Sequence, residues 1–269
     1  MPRASINGVD LNYEISGQGE AVVFLHGYTG STQNWANQVP ALSSKYMMVT
    51  VDHRGHGKSA APSNEDDYSV RILSEDTFAL LNMLNIEKCC LAGHSLGGFA
   101  ALQFAIEHQD RLAGLILVDT FSGQFARDPN FAQLRQKLDE LARTQGMEAA
   151  FEYDAANNPM RIELFKQHPE LREISRQRVM QTSVDGYIYM SRAIGKWEPL
   201  TSRLSEIKVP TLIFWGEEDL PFAEPSRVMK EGIADSELVV LKGVGHNPHE
   251  EAPEVFNEAL LKFLGKIRW

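Results

Sequence analysis

The sequence predicts an α/β protein with a doubly wound, mostly parallel sheet, into which a helical cap is inserted. Three observations lead to this fold class. Short apolar runs bounded by Gly, Asp or Pro recur along the chain, helical patterns separate them, and the strand signal disappears between Ser122 and Ser205. We therefore expect a core domain at residues 1–121 and 206–269 and a cap domain at residues 122–205.

The strands of the core are predicted from apolar or β-branched runs without polar alternation, which is typical of strands that helices cover on both faces. These runs are Ala21–Leu25, Met47–Val51, Cys89–Ala92, Leu115–Val118, Thr211–Trp215 and Glu237–Leu241. Two earlier runs, Ala4–Ile6 and Val9–Ile15, flank Asn7-Gly8, which is a strong hairpin signal. An antiparallel hairpin therefore starts the predicted sheet.

Helices are predicted where apolar residues recur at helical spacing. In the core they cover Ser69–Leu84, Gly98–Glu107 and Pro253–Ile267, and in the cap they cover Pro129–Thr144, Met147–Asp154, Met160–Gln167, Glu170–Gln181 and Gly186–Ile194. The 84 cap residues include 12 Lys and Arg and 11 Asp and Glu. This near-neutral cap gives no charge-based indication of a polyanionic or strongly cationic substrate.

Composition excludes several classes of protein. The 269 residues carry 26 Lys and Arg against 36 Asp and Glu, so the net charge of −10 argues against a nucleic-acid partner. The N-terminal residues lack the apolar segment of a signal peptide, and no apolar run is long enough to span a membrane. We therefore expect a cytoplasmic protein without a membrane partner. The sequence leaves the oligomeric state open between a monomer and a homodimer.

The pattern G-x-S-x-G occurs at Gly93-His94-Ser95-Leu96-Gly97, between a predicted strand and a predicted helix. A sharp strand-to-helix turn lifts the serine hydroxyl above the sheet, and a side chain at either glycine would clash with neighbouring backbone. The N-terminus of the following helix is then aimed at any anion that forms at the serine. Ser95 is therefore the candidate nucleophile.

Four further motifs, together with this elbow, make the chain resemble an α/β-hydrolase with a helical cap over nearly its whole length. They are HGYTG at residues 26–30, DHRGHGKS at residues 52–59, GEED at residues 216–219, and GHNP at residues 245–248 followed by Glu251 and Pro253. In the family they correspond to the oxyanion loop, a turn of the form D-x-R-G-x-G-x-S, the acid turn and the histidine loop. The five pieces occur in the family's order and spacing.

The resemblance implies a catalytic triad of Ser95, Asp219 and His246. An imidazole with a pKa of about 6.5 can take the serine proton at neutral pH. A carboxylate fixes the tautomer of that imidazole and stabilises the imidazolium. The family pattern also supplies two backbone N–H donors for the tetrahedral oxyanion, those of Tyr28 and Leu96. We expect no metal and no other cofactor, because no histidine pair has a recognisable metal-ligand spacing.

Two residues compete with these assignments. His249 lies three residues after His246, but the motif match favours His246, and we interpret His249 as a rim or surface residue. Asp119 follows the predicted strand Leu115–Val118, where some relatives keep their acid. Its alternative role is a hydrogen bond to backbone at the cap junction. The G-x-x-D motif favours Asp219 as the acid.

Serine at the elbow favours acyl transfer to water, because dehalogenase and epoxide hydrolase relatives place Asp there. The leading interpretation is a serine esterase that cleaves small or medium carboxylic esters through an acyl-Ser95 intermediate. An alternative on the same triad is a lyase of the menaquinone-pathway type or a C–C bond hydrolase, and HGYTGS at residues 26–31 resembles the loop of that lyase. Relatives of the lyase follow the elbow with Gly-Gly-Arg, whereas this chain has Gly97-Gly98-Phe99.

An alternative of another class is a ligand receptor built on this fold, which binds one ligand with slow turnover or none. Whatever the function, the cap lies over the C-terminal ends of the strands, where α/β folds bind their ligands. We therefore expect a restricted entrance and a preference for dissolved esters over emulsified ones. The residues predicted to line the substrate pocket are Tyr28, Phe151, Tyr187 and Trp197.

Overall fold

The computed structural model describes residues 3–123 and 129–269. The sheet in these residues has eight strands, β1 Arg3–Ile6, β2 Val9–Ser16, β3 Ala21–Leu25, β4 Met47–Val51, β5 Cys89–His94, β6 Leu112–Val118, β7 Thr211–Gly216 and β8 Ser236–Leu241. Their order across the sheet is β1-β2-β4-β3-β5-β6-β7-β8. The first two pairs, β1 with β2 and β2 with β4, are antiparallel, and the other pairs are parallel. The predicted mostly parallel sheet with an N-terminal hairpin is confirmed.

Helices alternate with the strands. The α-helices in the described residues are α1 Val39–Leu42, α2 Val70–Met83, α3 Leu96–Glu107, α4 Pro129–Gln145, α5 Met147–Asn157, α6 Pro159–Gln167, α7 Glu170–Met180, α8 Val184–Lys196, α9 Ala223–Gly232, α10 Pro248–Glu251 and α11 Pro253–Leu264. None of these helices is both long and apolar enough to cross a lipid bilayer.

Helices cover both faces of the sheet, which makes the fold doubly wound. Along β3, Val23 and Leu25 lie in the core shared with α2, α3 and α9, whereas Val22 and Phe24 lie in the core shared with α1 and α11. All four side chains are fully buried. Successive side chains of a strand point to opposite faces, so a run without polar alternation fits only where both faces are covered.

The helices α4 to α8 lie between β6 and β7 and include a small apolar core of their own. This group meets the sheet domain where Gly186 of α8 approaches Gly55. A Cβ built on Gly186 would lie 2.4 Å from the Gly55 carbonyl oxygen, so a side chain at Gly186 would force the two backbones apart. Ser183, the N-cap of α8, donates its backbone N–H to the same oxygen at 2.9 Å. The domain boundaries stated above remain a prediction.

Two differences from the predicted elements have a physical reason. β6 begins at Leu112 rather than at Leu115, although Gly114 interrupts the apolar run. A Cβ on Gly114 would lie 3.0 Å from Cys90 Sγ, so close packing inside the sheet explains the glycine. The sequence pattern also does not predict α9, because its segment AEPSRVMKEG combines proline and glycine with few apolar residues. The helix α9 is instead stabilised by Met229, which it buries against the sheet.

Candidate active site

The elbow that carries Ser95 joins β5 to α3. Ser95 adopts φ 49° and ψ −113°, a backbone conformation that non-glycine residues rarely occupy and that costs about 1–3 kcal/mol. The flanking glycines make the turn possible. A Cβ on Gly93 would lie 2.2 Å from the Gly97 oxygen, and a Cβ on Gly97 would lie 2.2 Å from the Leu25 oxygen. Ser95 is thereby partly exposed while its neighbours Gly93 and Gly97 are buried.

Hydrogen bonds hold the Ser95 backbone from two sides. Its N–H donates to the carbonyl of Val118 in β6 at 3.0 Å. Its carbonyl accepts from the Thr120 hydroxyl at 2.8 Å and from the N–H of Gly98 at 2.9 Å. These bonds to β6, to Thr120 and within α3 fix the backbone of the elbow and thereby the position of the Ser95 side chain.

The loop that carries Tyr28 lies directly beside the elbow. A Cβ built on Gly27 would lie 3.3 Å from Ser95 Cβ, so the absence of a side chain lets this loop approach the serine. Within residues 3–123 and 129–269, the backbone N–H groups of Tyr28 and Leu96 donate no hydrogen bond. Unpaired N–H groups on the two segments that flank Ser95 are suited to binding a negatively charged oxygen.

Asp219 and His246 are joined by a hydrogen bond of 2.6 Å between Asp219 Oδ2 and His246 Nδ1. Asp219 follows β7 and His246 follows β8, and these strands are parallel neighbours that end at the same edge of the sheet. The bond engages Nδ1 and leaves Nε2 as the ring nitrogen that can accept a proton. In the described part of the chain the Ser95 hydroxyl makes no hydrogen bond to His246, and in ligand-free sites this bond often tightens only with substrate.

Two backbone turns come into contact to form this pair. A Cβ on Gly216 would lie 2.0 Å from the Gly245 oxygen, so glycine at position 216 is what allows the acid turn to reach the histidine loop. The acid turn is also fixed internally, since Trp215 Nε1 donates to the Asp219 carbonyl at 3.1 Å. Gly216 therefore has a steric reason within the GEED motif.

The electrostatics of His246 suit a general base. Burial alone would lower the pKa of His246, but the negative charge of Asp219 and its hydrogen bond outweigh burial, so the pKa of His246 is raised from its ordinary value. A more basic imidazole takes the serine proton more readily, and its charged form is stabilised by the carboxylate.

Two further side chains hold the loop that carries His246. The Glu251 carboxylate accepts the N–H of Gly245 at 2.6 Å and the N–H of Asn247 at 2.9 Å. His94 Nε2 donates to the His246 carbonyl at 2.7 Å. Because His94 is the residue before Ser95, this bond links the histidine loop to the elbow. Sequence reasoning misses both roles, because each depends on a hydrogen bond that only the folded loop reveals.

Asp119 occupies the end of β6 and is fully buried. Its carboxyl group accepts the N–H of Gly216, at 3.0 Å from Oδ1 and 3.4 Å from Oδ2. The alternative role predicted from the sequence is a hydrogen bond to backbone at the cap junction, whereas the donor in the structure is the N–H of Gly216 in the acid turn. The hydrogen-bond partner of His246 is Asp219 and not Asp119.

His249 does not lie at a rim or on the surface, so that interpretation is wrong. Its ring is fully buried and lies 4.3 Å from the Trp35 ring and 4.7 Å from the His94 ring, centroid to centroid. His249 is the second residue of α10, which begins at Pro248 immediately after the histidine loop. Burial lowers the pKa of His249 well below its ordinary value, so this imidazole is neutral.

Tyr28 and Tyr187, two of the predicted pocket residues, lie against each other where α8 meets the oxyanion loop. Their rings stack with centroids 5.5 Å apart, and the Tyr28 hydroxyl donates to the Tyr187 carbonyl at 2.5 Å. The guanidinium of Arg135 lies 4.1 Å from the Tyr187 ring centroid and pairs with Asp139. Tyr28 and Arg135 line a cavity of about 730 Å³ between α4 and α8. Sequence reasoning also misses Arg135, because its charge suggests a solvated face.

Phe151 and Trp197, the other predicted pocket residues, are buried in packing contacts. Phe151 of α5 lies 6.3 Å from the Phe165 ring among the cap helices. Trp197 stacks on Phe99 at 4.9 Å and donates Nε1–H to Gln103 at 3.1 Å. Trp197 therefore packs on a residue one helical turn after Ser95, whereas Phe151 packs among the cap helices. A role of these residues in binding substrate remains a prediction.

Comparison with known proteins places this geometry in a family. A Bacillus subtilis (strain 168) protein named as a provisional 2-succinyl-6-hydroxy-2,4-cyclohexadiene-1-carboxylate synthase is 29% identical over 96% of this chain and 96% of its own. The 3-oxoadipate enol-lactonase 2 of Acinetobacter baylyi is 28% identical over 94% of this chain and 92% of its own. The structure of a thermophilic esterase from Thermogutta terrifontis superposes with a TM-score of 0.86 at 28% identity, covering 99% of both chains.

The model of one family, described as the alpha/beta hydrolase fold, matches residues 20–253, which is most of the chain. Together with the eight-stranded sheet and the elbow between β5 and α3, this match shows that the chain belongs to the alpha/beta hydrolase fold family.

Proposed function

We propose that the protein is a serine hydrolase that cleaves small or medium carboxylic esters through an acyl-Ser95 intermediate. The observation that carries this proposal is the 2.6 Å hydrogen bond between Asp219 and His246, at the same edge of the sheet as the strained Ser95 elbow. The unpaired N–H groups of Tyr28 and Leu96 complete the set of parts that acyl transfer requires.

In the acylation step, His246 Nε2 takes the Ser95 hydroxyl proton while Oγ attacks the ester carbonyl carbon. The carbonyl oxygen becomes an oxyanion, which the N–H groups of Tyr28 and Leu96 bind. The Asp219 carboxylate stabilises the imidazolium. The imidazolium then gives its proton to the leaving alcohol as the C–O bond breaks, and the acyl group remains on Ser95.

Deacylation repeats these roles with water. His246 takes a proton from a water molecule that attacks the acyl carbonyl, the same N–H groups bind the second oxyanion, and the proton returns to Ser95 Oγ as the acid leaves. The protein accelerates both steps by holding the N–H groups of Tyr28 and Leu96 and the imidazole of His246 in fixed positions. The elbow bonds at Ser95 and the Glu251 bonds at the histidine loop provide that fixation.

Two features support an ester, including a cyclic one, as the substrate. The structural relative from Thermogutta terrifontis is an esterase and the relative from Acinetobacter baylyi is named an enol-lactonase. Phe99, which follows the two glycines of the elbow, is 3% exposed and stacks on Trp197, so the start of α3 offers an apolar side chain and no cation.

A lyase or synthase reaction on the same triad is the second candidate, because the Bacillus subtilis relative is named as such a synthase. Against it stands the apolar Phe99, where the sequence comparison with lyases leads us to expect arginine. The two reactions are separated by their products. An esterase releases an alcohol and an acid from a panel of dissolved esters and lactones, whereas a lyase leaves this panel untouched and acts only on a C–C or C–O bond beside a carbonyl of its own substrate.

The test is ester hydrolysis by Ser95→Ala compared with native protein, over dissolved esters of increasing acyl length. We expect Ser95→Ala to lose about 10⁴-fold or more in kcat, because the nucleophile is removed and only binding and the oxyanion site remain. Ser44→Ala, in an exposed turn before β4, is the matched control and keeps native turnover. Native-like turnover by Ser95→Ala, or no hydrolysis of any ester by the native protein, contradicts the proposal.

A further inference from the structure

Glu250 of α10 joins three parts of the chain that lie far apart in the sequence. Its carboxylate oxygen Oε1 accepts from Arg178 Nη2 of α7 at 2.5 Å and from Asn34 Nδ2 at 3.0 Å. Its backbone N–H donates to the carbonyl of Asn247, directly after His246, at 2.9 Å. Because α7 lies in the group of helices between β6 and β7, one carboxylate connects that group with two segments of the sheet domain.

The side-chain amide of Asn34 connects Glu250 to the oxyanion loop. While Nδ2 donates to Glu250, Oδ1 accepts the backbone N–H of Ser31 at 2.7 Å. Ser31 ends the loop HGYTGS at residues 26–31, which carries Tyr28. Asn34 is buried, so water does not readily replace either bond. The position of the Tyr28 N–H, one of the two proposed oxyanion donors, therefore depends on a series of hydrogen bonds that begins at α7.

The neighbours of Glu250 in α10 hold the surroundings of His246. Glu251 accepts two backbone N–H groups of the histidine loop. The ring of His249 stacks on that of Trp35, the residue after Asn34, with centroids 4.3 Å apart. The segment after the oxyanion loop and the segment after the histidine loop therefore meet at α10, where Glu250 also receives Arg178.

The ionised form of Glu250 depends on Arg178. Burial raises the pKa of the Glu250 carboxyl group above its ordinary value, and the charge of Glu251 acts in the same direction. The charge of Arg178 and the hydrogen bonds from Arg178 and Asn34 oppose this rise. Without the guanidinium the carboxyl group takes up a proton at a higher pH, and a neutral carboxyl group is a weaker acceptor than a carboxylate.

We propose that Glu250 is a positioning residue that couples the helices α4 to α8 to the oxyanion loop: Arg178 holds its carboxylate in place, and the carboxylate holds Asn34. The inference rests on the proposed acyl transfer at Ser95 and adds this residue to it. In the described residues Arg178 makes no hydrogen bond or ion pair with Ser95 or His246, so its effect on the reaction is indirect. A misplacement of about 1 Å in a catalytic segment lowers a rate by up to about 10²-fold.

The experiment measures the rate at which a fluorophosphonate labels the protein at pH 7 and at pH 9, because this reaction needs the activated serine and no knowledge of the natural substrate. The compared proteins are native, Arg178→Met, Arg178→Lys, Glu250→Gln and the double variant Arg178→Met/Glu250→Gln. Methionine removes the charge and keeps the apolar stem, whereas glutamine keeps an acceptor oxygen without a charge. Arg172→Met, in an exposed ion pair of the same helix, is the matched control and keeps the native rate.

At pH 7 we expect Arg178→Met and Glu250→Gln each to label about tenfold more slowly than the native protein. Arg178→Lys keeps the charge and should stay within about threefold of it. The double variant should match the slower single variant, because both substitutions break the same connection.

At pH 9 the Glu250 carboxyl group of Arg178→Met is ionised again, so this variant should recover to within about threefold of the native rate at that pH. Glu250→Gln and the double variant carry no group to ionise and should stay slow. His94 and His249, which also lie close to the charge of Arg178, do not contribute to the difference, because burial lowers the pKa of each well below its ordinary value.

The outcomes separate the two claims. A native protein that is not labelled overturns the proposed function, and this inference with it. A labelled native protein whose folded Arg178→Met variant labels at the native rate overturns the coupling alone, since an ion pair that only stabilises the fold changes the melting temperature and not the rate. Losses that multiply in the double variant, or an Arg178→Met variant that stays slow at pH 9, also overturn it. If Glu250→Gln does not fold, Arg178→Met and Arg178→Lys at the two pH values decide.

Discussion

Replacing Glu251 by glutamine tests whether the histidine loop is held from outside the triad. The Glu251 carboxylate accepts two backbone N–H groups, one on each side of His246 in the chain. Glutamine keeps one acceptor oxygen and presents an amide N–H₂ to the second donor, so one bond is lost. Glu251 touches neither the ring of His246 nor Ser95 in the described structure, so any loss of activity is transmitted through the loop.

The size of the effect follows from those two bonds. A hydrogen bond to a charged acceptor contributes about 1.5–3 kcal/mol when buried, and Glu251 is exposed, so we take about 1–2 kcal/mol for the lost bond and the unpaired donor. If this energy holds the loop in its productive position, kcat falls by about 5- to 30-fold. KM should change little, because the side chain is bonded to backbone and not aimed at substrate.

The assay is steady-state hydrolysis of a dissolved ester, with unfolding in urea measured in parallel. Glu258→Gln, an exposed glutamate of α11, is the matched control and should leave kcat native. A native kcat in Glu251→Gln, or the same loss in Glu258→Gln, would refute the reasoning that the carboxylate positions the histidine loop.

Three further outcomes are expected. The acid limb of kcat/KM should have its midpoint above 6.5, since the pKa of His246 is raised and only its neutral form is a base, and a lower midpoint contradicts this. Arg178→Met should lower the melting temperature by about 4–8 °C, because Arg178 pairs with Glu250 at 2.5 Å and joins α7 to α10. Arg172→Met removes the more exposed pair with Glu152 and should change the melting temperature little. Burial lowers the pKa of His56 in the folded protein to about 3. Below pH 6.5, His56 therefore binds a proton in the unfolded state but stays neutral in the folded state. The free energy of unfolding of the native protein, measured in urea, should therefore fall between pH 7 and pH 5, and His56→Gln should make this fall smaller by about 2 kcal/mol. The same fall in both proteins contradicts this prediction.

The parts of the fold that local chemistry dictates are predictable from the sequence. The elbow is one, since Gly93 and Gly97 are required by contacts of 2.2 Å and leave a recognisable pattern around Ser95. The buried parallel strands are another, because a run such as that of β3 cannot expose either face. In both cases the constraint leaves a pattern in residues that are adjacent in the chain, even where the contact itself, as between Gly97 and Leu25, joins distant segments.

The features that escape sequence reasoning depend on contacts between distant segments. The position of His249, three residues after His246, suggests a surface loop. Its ring nevertheless stacks on that of Trp35, over two hundred residues earlier, and is buried in the core. The proximity of Asp119 to Asp219 follows from the pairing of β6 with β7, which the sequence predicts only as a sheet and not as a register. The contact between the Arg135 guanidinium and the Tyr187 ring likewise requires the arrangement of the cap helices.

The most direct test of the account is the site of covalent modification. The native protein is incubated with a fluorophosphonate until labelling is complete, and the adduct is located by peptide mass spectrometry. Because Ser95 stands on the strained elbow beside the Asp219–His246 pair, we predict one adduct per chain, on Ser95, and none on Ser95→Ala. An adduct on any other serine, or an unmodified native protein, would contradict the claim that Ser95 is the nucleophile.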